Sequence, residues 1–425
     1  MALVSDAPKE SFRLGMLIYD TRYRAITIQV IVLILVLMGA SWLVNNTIEN
    51  LAAKDKDISF NFLWNRAGYD IGQHLIPYSN DSSHFMAAVV GIVNTLVVAA
   101  LACLFATILG VFVGILRLSH NWLVGRLMTV YVEVFRNVPL LLWIILSATI
   151  LSETQPSTQD FKNSLALVAE GKPPLATMMF NDTVAITNQA INMPQPLLER
   201  GLGGVNIGGL PINFTFLAIL AVISGSIIAS RMLAQNARIV QEATGVRPVT
   251  WWKRLLVLFV PIMALLWALG FSLSYPEFAK FNFKGGIQIP HAFTALLVAL
   301  TLYSASYIAE IVRSGILAIS HGQSEAAYAL GLRPGRTMNL IILPQALRVI
   351  IPPLISQYLN ITKNTSLGIA VSYLDLRGTL GGITMNQTGR ELECMLLMML
   401  IYLIISLLIS SVMNVFNNSV KLKER

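Results

Sequence analysis

The stretch SEAAYALGLRPGRTMNLIILPQALR, Ser324 to Arg348, lies between two strongly apolar segments of the chain. It is composed mostly of small or polar residues compatible with a helix, carries three arginines, and contains Pro334. A membrane span does not easily hold this much charge, and a loop does not need so many helix-forming residues. We therefore expect a surface helix made to fit against another protein.

The composition of the whole chain indicates an integral membrane protein. Of its 425 residues, 55% are hydrophobic and only 12% are charged, and the mean hydropathy is +0.66. Soluble domains carry about twice that charged fraction. The 30 Lys and Arg against 22 Asp and Glu give a net charge of +8, but the basic residues are spread through short loops. This pattern favours cytoplasmic loops of a membrane protein over nucleic-acid binding.

Apolar runs predict an all-α membrane protein with about eight transmembrane helices. The basic residues fall on one side if eight spans are drawn, so both termini are predicted to be cytoplasmic. The spans are expected near residues 25–44, 87–116, 137–152, 212–232, 254–272, 291–313, 346–371 and 391–417. The third is short, and Pro352 and Pro353 interrupt the seventh.

The domain organisation follows from these spans. Residues 1–86 would hold an N-terminal cytoplasmic tail, the first transmembrane helix and an outer loop, and residues 87–425 a membrane core. Two outer segments, 45–86 and 153–211, are unusually long, and loops of this length are often functional. Their aromatic residues leave two interpretations open, a surface for docking another protein or an insertion that packs on the protein's own helix ends.

Enzyme signatures are missing from the sequence. It has no H-E-x-x-H motif, no G-x-S-x-G motif and no paired Cys or His spacing for a metal. Residues 166–173 come close to a phosphate loop, but Pro173 stands where Ser or Thr would hold magnesium. We therefore predict no catalytic residue, no metal and no cofactor on this chain, so that any ATP is hydrolysed by another chain. Cys103 and Cys394 lie in apolar runs and are expected to be buried thiols.

A polar group interrupts the seventh predicted span. Lys363, Asn364, Thr365 and Ser366 follow one another where a spanning helix should be apolar. Polar groups inside a membrane usually face the protein interior or a water-filled path. The alternative is a lysine that extends outward at a helix end. We prefer the first interpretation, a substrate pathway.

A second polar group lies late in the sixth span. Tyr303, Ser306, Tyr307 and Glu310 share one helix face by their i, i+3, i+4, i+7 spacing. Hydrogen bonding between helices explains such a face as well as a substrate pathway does, so both interpretations stay open.

The opening stretch resembles the EAA signature of bacterial ABC-importer permeases. The match consists of Glu325, Ala326 and Ala327, then Gly331, then Ile341, Leu343 and Pro344 at the signature's spacing. The sequence on either side of this match is similar to the polar amino acid (histidine/glutamine-type) permease family. The segment DTRYRAITIQV, residues 20–30, resembles the longer permease subunit of general L-amino acid and glutamate/glutamine/aspartate/asparagine transporters.

This resemblance implies a type I (MetI-like) ABC importer core in a bacterial inner membrane, with a coupling helix at about Ile319–Leu332 in a cytoplasmic loop, 314–340. In such permeases the helix inserts into a groove of a separate ATPase, which binds ATP and magnesium. Gly331 and Pro334 would end the helix, and Leu343 and Pro344 would begin the next span.

The implied partners are an ATPase dimer, a second permease in a heterodimer and an extracytoplasmic amino-acid-binding protein, besides the lipid bilayer. The family often has KDTSL where this chain has KNTSL, with Asn364. The loss of that carboxylate puts a site for cationic amino acids in doubt and leaves neutral and acidic ones open. A secondary transporter or channel working without an ATPase is the main alternative, and a membrane-embedded enzyme is disfavoured.

Overall fold

A computed structural model of the protein describes residues 15–53, 57–207, 210–279 and 281–420. The ends of the predicted tails, 1–14 and 421–425, lie outside the described residues. The helices are α1 Met16–Tyr19, α2 Thr21–Ala52, α3 His84–Leu116, α4 Trp122–Asn137, α5 Leu140–Glu153, α6 Thr158–Ala169, α7 Phe214–Thr244, α8 Trp251–Ala268, α9 His291–Leu317, α10 His321–Ala329, α11 Pro334–Thr337, α12 Leu343–Asn364, α13 Leu376–Gly378, α14 Met385–Thr388 and α15 Glu391–Val420.

The strands are β1 Ala185–Ile186, β2 Ala190–Met193, β3 Gln195–Leu198, β4 Gly204–Ile207, β5 Leu210–Asn213, β6 Phe271–Ser274, β7 Glu277–Ala279, β8 Asn282–Lys284 and β9 Ile287–Pro290. The chain divides into two compact units, Met1–Asn61 and Phe62–Arg425. The first contains α1 and the spanning helix α2, and the second contains all the elements from α3 onward.

The predicted span number is confirmed. Within the described residues, seven helices are long and apolar enough to cross a membrane, and a bent pair raises the number to eight. That bent pair replaces the predicted third span. Residues Trp122–Asn137 and the helical stretch that begins at Leu140 meet at an angle of 104°. The bend occurs because Pro139 forces Val138 into an extended conformation, with φ −97° and ψ 133°.

Four helices, α3, α5, α9 and α12, enclose the main apolar core, and α3 packs most extensively against α9. The packing is close because two glycines of α3 face α9. A Cβ atom added to Gly110 would lie 2.7 Å from Cβ of Ile308, and one added to Gly114 would lie 2.7 Å from the carbonyl oxygen of Ala309. Gly110 and Gly114 therefore form a small-residue face on which α9 packs closely.

A strand-rich lobe, made of residues 153–213 and 269–290, is the main departure from the all-helical prediction. It combines α6 with the nine short strands. Strand β2 pairs with both β1 and β9, and β3 pairs with β6, so the lobe joins two distant parts of the chain. Its own small core contains Phe161, Ala176, Ala185 and Phe283. Strands of two to four residues leave too little alternating pattern to be predicted from sequence.

The first outer segment also packs on the protein itself. Within residues 62–83, Phe62 and Ile71 are buried. The side-chain amide of Asn94 in α3 donates to the carbonyl oxygens of Gln73 and Leu374, each at 2.8 Å. For this segment the structure favours packing on the protein's own helix ends over an open docking surface.

Candidate functional site

Helix α10 carries the EAA signature as a short helix with a defined end. Gly331 has φ +74°. Its N–H donates to the carbonyl of Tyr328 at 2.9 Å, and the N–H of Leu332 donates to Ala327 at 3.1 Å. These two bonds form a Schellman motif, in which a left-handed glycine closes the helix. Gly331 therefore ends the helix as predicted, although the helix itself begins at His321 and is shorter than expected.

Three of the predicted coupling residues lie in this helix, and they divide between two faces. Glu325 and Ala326 are exposed, beside Tyr328 and Leu330, whose side chains are 51% and 81% exposed. Ala327 is only 1% exposed and packs inward. An outward face with one carboxylate and two large side chains is available to a partner, while Ala327 seats the helix on its own protein.

Pro334 begins a helix and does not end one, contrary to the prediction. It is the first residue of α11, a position that suits proline because the N–H there needs no helical acceptor. From Pro334 the chain stays helical to Val371, with a π-helical turn at Met338–Ile342. This turn rearranges the hydrogen bonds just before Pro344, which has no N–H to donate. Leu343 and Pro344 are the first two residues of α12, and they lie within a continuous helical run that already starts at Pro334.

The polar group at the end of α12 is only partly available to a substrate. Lys363 is exposed, and Asn364 and Ser366 are half-buried. Thr365 is fully buried and donates to the carbonyl of Thr362 at 2.9 Å. Ser366 donates to the carbonyl of Lys363 at 2.7 Å. Lys363 and Asn364 are thus the members of this group whose side chains have no such local bond in the described structure.

The polar group on α9 splits into two parts. The hydroxyl groups of Tyr303 and Tyr307 lie 3.0 Å apart, and the guanidinium of Arg136 stands 5.1 Å from the Tyr307 ring centre. Ser306 is fully buried and bonds to the carbonyl of Tyr303 at 2.6 Å. Because its hydroxyl is used in this bond within α9, a substrate role is not supported for Ser306.

Glu310 forms a separate charged cluster near the end of α9. Its carboxylate accepts from Arg117, the C-cap residue of α3, and from Arg313 at 2.6 Å. The Arg117 side chain is only 9% exposed. Glu310 therefore ties α3 to α9, which favours the helix–helix interpretation for this residue. Within the described part of the chain, no hydrogen bond joins the polar residues of α9 to Lys363–Ser366.

Sequence reasoning missed a buried carboxylate at Asp375, which follows the span. Asp375 is fully buried and accepts from the N–H of Gly378 at 2.9 Å and from the hydroxyl of Tyr402 at 3.1 Å. Burial raises the pKa of its carboxyl group to about 6. The only signal in the sequence is one acidic residue in the segment VSYLDLRG, between the last two spans.

Comparison with known proteins decides the family. A family profile described as "Binding-protein-dependent transport system inner membrane component" matches residues 248–422, which include α10 and α12. The glutamate/glutamine/aspartate/asparagine transport system permease protein BztB of Rhodobacter capsulatus is 65% identical over the full length of both chains. The chain belongs to the amino-acid ABC transporter permeases.

More distant relatives agree with this assignment along almost the whole permease. The general L-amino acid transport system permease protein AapQ of Rhizobium johnstonii is 40% identical over 98% of this chain and 96% of its own. The putative amino-acid ABC transporter permease protein YhdX of Escherichia coli is 37% identical over 95% of both chains. The predicted fold class and the transport function are confirmed, and the secondary-transporter alternative is not supported. This chain is the transport subunit and not the ATPase.

Glu310→Gln tests whether Glu310 ties the helices or serves the substrate. It leaves the almost buried Arg117 without an ion-pair partner, and we expect a loss of unfolding free energy on the order of 3 kcal/mol. The control, Arg313→Gln, removes the more exposed partner and should cost less than about 1 kcal/mol. Denaturant unfolding of the purified permease measures both. Normal stability of Glu310→Gln together with lost uptake would show a pathway role instead.

Proposed function

We propose that this permease imports acidic and neutral polar L-amino acids, among them glutamate, glutamine, aspartate and asparagine. The observation that carries the proposal is the similarity to BztB, a permease whose name states those four substrates. The two chains are 65% identical over their full lengths. Asn364, which stands in place of the acidic residue of the KDTSL pattern, is compatible with this range. A carboxylate there would favour cationic substrates, because opposite charges attract.

The proposed assembly has four kinds of component. This chain pairs with a second, different permease, and the pair binds an ATPase dimer that carries ATP and magnesium. An amino-acid-binding protein delivers substrate from outside the bacterial inner membrane. The basic loops and the family description as binding-protein-dependent support this arrangement, with both termini in the cytoplasm.

In the proposed mechanism, the exposed face of α10 lies in a groove of the ATPase. Glu325 would form a charged contact with a basic group of the ATPase, and Tyr328 and Leu330 would supply apolar area. The helical run that starts at Pro334 follows α10 after four residues. A movement of α10 would therefore pass directly into the span that carries Lys363.

Lys363 and Asn364 would form part of the substrate pathway in this mechanism. Every amino acid substrate carries an α-carboxylate. A lysine ammonium group attracts this carboxylate whatever the side chain of the substrate is. Lys363 is exposed on the single chain and would meet substrate where this chain faces the second permease. Tyr303 and Tyr307 remain proposed members of the pathway, whereas Ser306 and Glu310 have bonds that serve the fold.

Gly331→Ala tests the coupling helix. Alanine at φ +74° costs about 1–2 kcal/mol, so the end of α10 should distort. We expect uptake by the reconstituted complex to fall while ATP hydrolysis persists. Gly225→Ala is the matched control, because Gly225 lies in α7, outside the coupling helix, has no positive φ, and has no atom within 4 Å of an added Cβ. Equal uptake in both variants would contradict the coupling role.

Lys363→Met tests the pathway. Methionine removes the charge and keeps much of the length, so the complex should assemble, and we expect the maximal uptake rate to drop by about tenfold, as for the loss of one charge-assisted hydrogen bond. Lys253→Met, at an exposed lysine near the start of α8, should leave uptake unchanged. Normal affinity and rate in Lys363→Met would assign this lysine to anchoring at the helix end.

Competition for uptake tests the substrate range. In vesicles with the complete complex and ATP inside, excess unlabelled glutamine, aspartate or asparagine should suppress uptake of labelled glutamate, and arginine should not. Uptake by this chain without an ATPase would favour a secondary transporter. Suppression by arginine as strong as by glutamine would contradict the proposed preference.

A further inference from the structure

Three consecutive residues at one turn of the strand-rich lobe have left-handed backbones. Phe180, Asn181 and Asp182 have φ values of 54°, 55° and 59°. Asparagine and aspartate are known to adopt this region, but for a bulky side chain it is strained. Phe180 is also 76% exposed. Its ring therefore adds little apolar burial to the fold of this chain.

This turn, residues 179–184, is a defined hairpin end, which we call the 179–184 tip. The N–H of Met179 donates to the carbonyl of Val184 at 2.7 Å, and the N–H of Val184 donates to the carbonyl of Met179 at 3.2 Å. The hydroxyl of Thr183 donates to the carbonyl of Phe180 at 2.8 Å. These bonds fix the backbone that presents Phe180. Strained positions that the surroundings hold in place are frequent at functional sites.

The tip is connected to α9 through paired strands. Strand β1 begins directly after Val184, pairs with β2, and β2 pairs with β9. Strand β9 ends at Pro290, and α9 begins at the next residue, His291, whose N–H donates to the carbonyl of Gln189 at 3.0 Å. The tip is therefore connected to the first turn of α9 through hydrogen-bonded backbone.

Helix α9 places the tip and the EAA helix at opposite ends of the core. It has 27 residues and is about 40 Å long at 1.5 Å per residue. Its first turn adjoins the lobe, and its last turn leads into α10. Because the proposed function puts the ATPase at α10, the tip lies on the extracytoplasmic side.

We propose that Phe180 is the anchor by which the amino-acid-binding protein docks on this permease, and that docking acts on α9 through β1, β2 and β9. The inference rests on the proposed function, in which such a protein delivers the substrate. The expected complement is an apolar pocket on the binding protein, with polar groups around it facing Asn181 and Asp182. A rigid exposed aromatic side chain entering a pocket is the usual form of an energetically dominant contact.

Phe180→Gly separates docking from folding. Glycine adopts the left-handed region without strain, so the variant should fold at least as well as the wild type. In the complete transporter with glutamate-loaded binding protein, we expect the binding-protein concentration for half-maximal ATPase stimulation to rise about tenfold, as for the loss of an aromatic anchor. Phe281→Ala is the matched control, since Phe281 is 73% exposed and lies between β7 and β8, which pair with each other and not with β1, β2 or β9.

The result that overturns the inference is a wild-type concentration dependence in Phe180→Gly, or an equal shift in Phe281→Ala. A photo-crosslinking benzophenone side chain at position 180 should label the binding protein in the same complex. Labelling of lipid or of the second permease alone would also overturn it. If the wild-type transporter is not stimulated by binding protein at all, the proposed function fails, and the inference fails with it.

Discussion

The contact between α3 and α9 is the constraint on which the rest of the structure depends. Gly110 and Gly114 let the two helices approach until the backbone of α9 touches α3, and α9 is the most buried of the described candidate spans. Glu310 adds charged bonds from α9 to Arg117 at the end of α3. The two helices are therefore joined by close packing along α3 and by an ion pair at its end. Since α9 begins next to the lobe and its last turn leads into α10, this one helix connects the two parts of the molecule.

A second set of contacts fixes the segment that follows α12. Asp375 and Tyr402 bond to each other, and the hydroxyl of Tyr373 donates to the carbonyl of Asn94 in α3 at 3.0 Å. The N–H of Leu376 donates to the hydroxyl of Thr95 at 3.1 Å. Because buried polar groups are expensive when unpaired, this network holds the segment in one arrangement against α3 and α15. The end of α12 that carries Lys363 thus has a fixed support on its C-terminal side.

What the sequence could predict was local in the chain. The length of an apolar run sets a span, and the fixed spacing of the EAA residues placed α10 and its end at Gly331. Contacts between residues that are far apart in the chain could not be predicted from the sequence. Gln195 pairs with Ser274 in the lobe, and Arg117 reaches Glu310 from 193 positions away. The role of Pro334 was mistaken because proline both follows helices and begins them, and only the backbone distinguishes the two.

The exposure of Lys363 bears on where a polar pathway can form. Two apolar grooves in the described part of the chain lie between α3 and α9 and among α3, α12 and α15, and both are lined almost entirely by apolar side chains such as Phe105, Leu297 and Leu408. Neither suits an amino acid with two charged groups. A lysine on the surface of a spanning helix is costly against hydrocarbon, and the proposed pathway would give the Lys363 side chain water and substrate instead. Under the proposed pairing, the proposed pathway would lie between two permease chains, with Lys363 on the wall that this chain supplies.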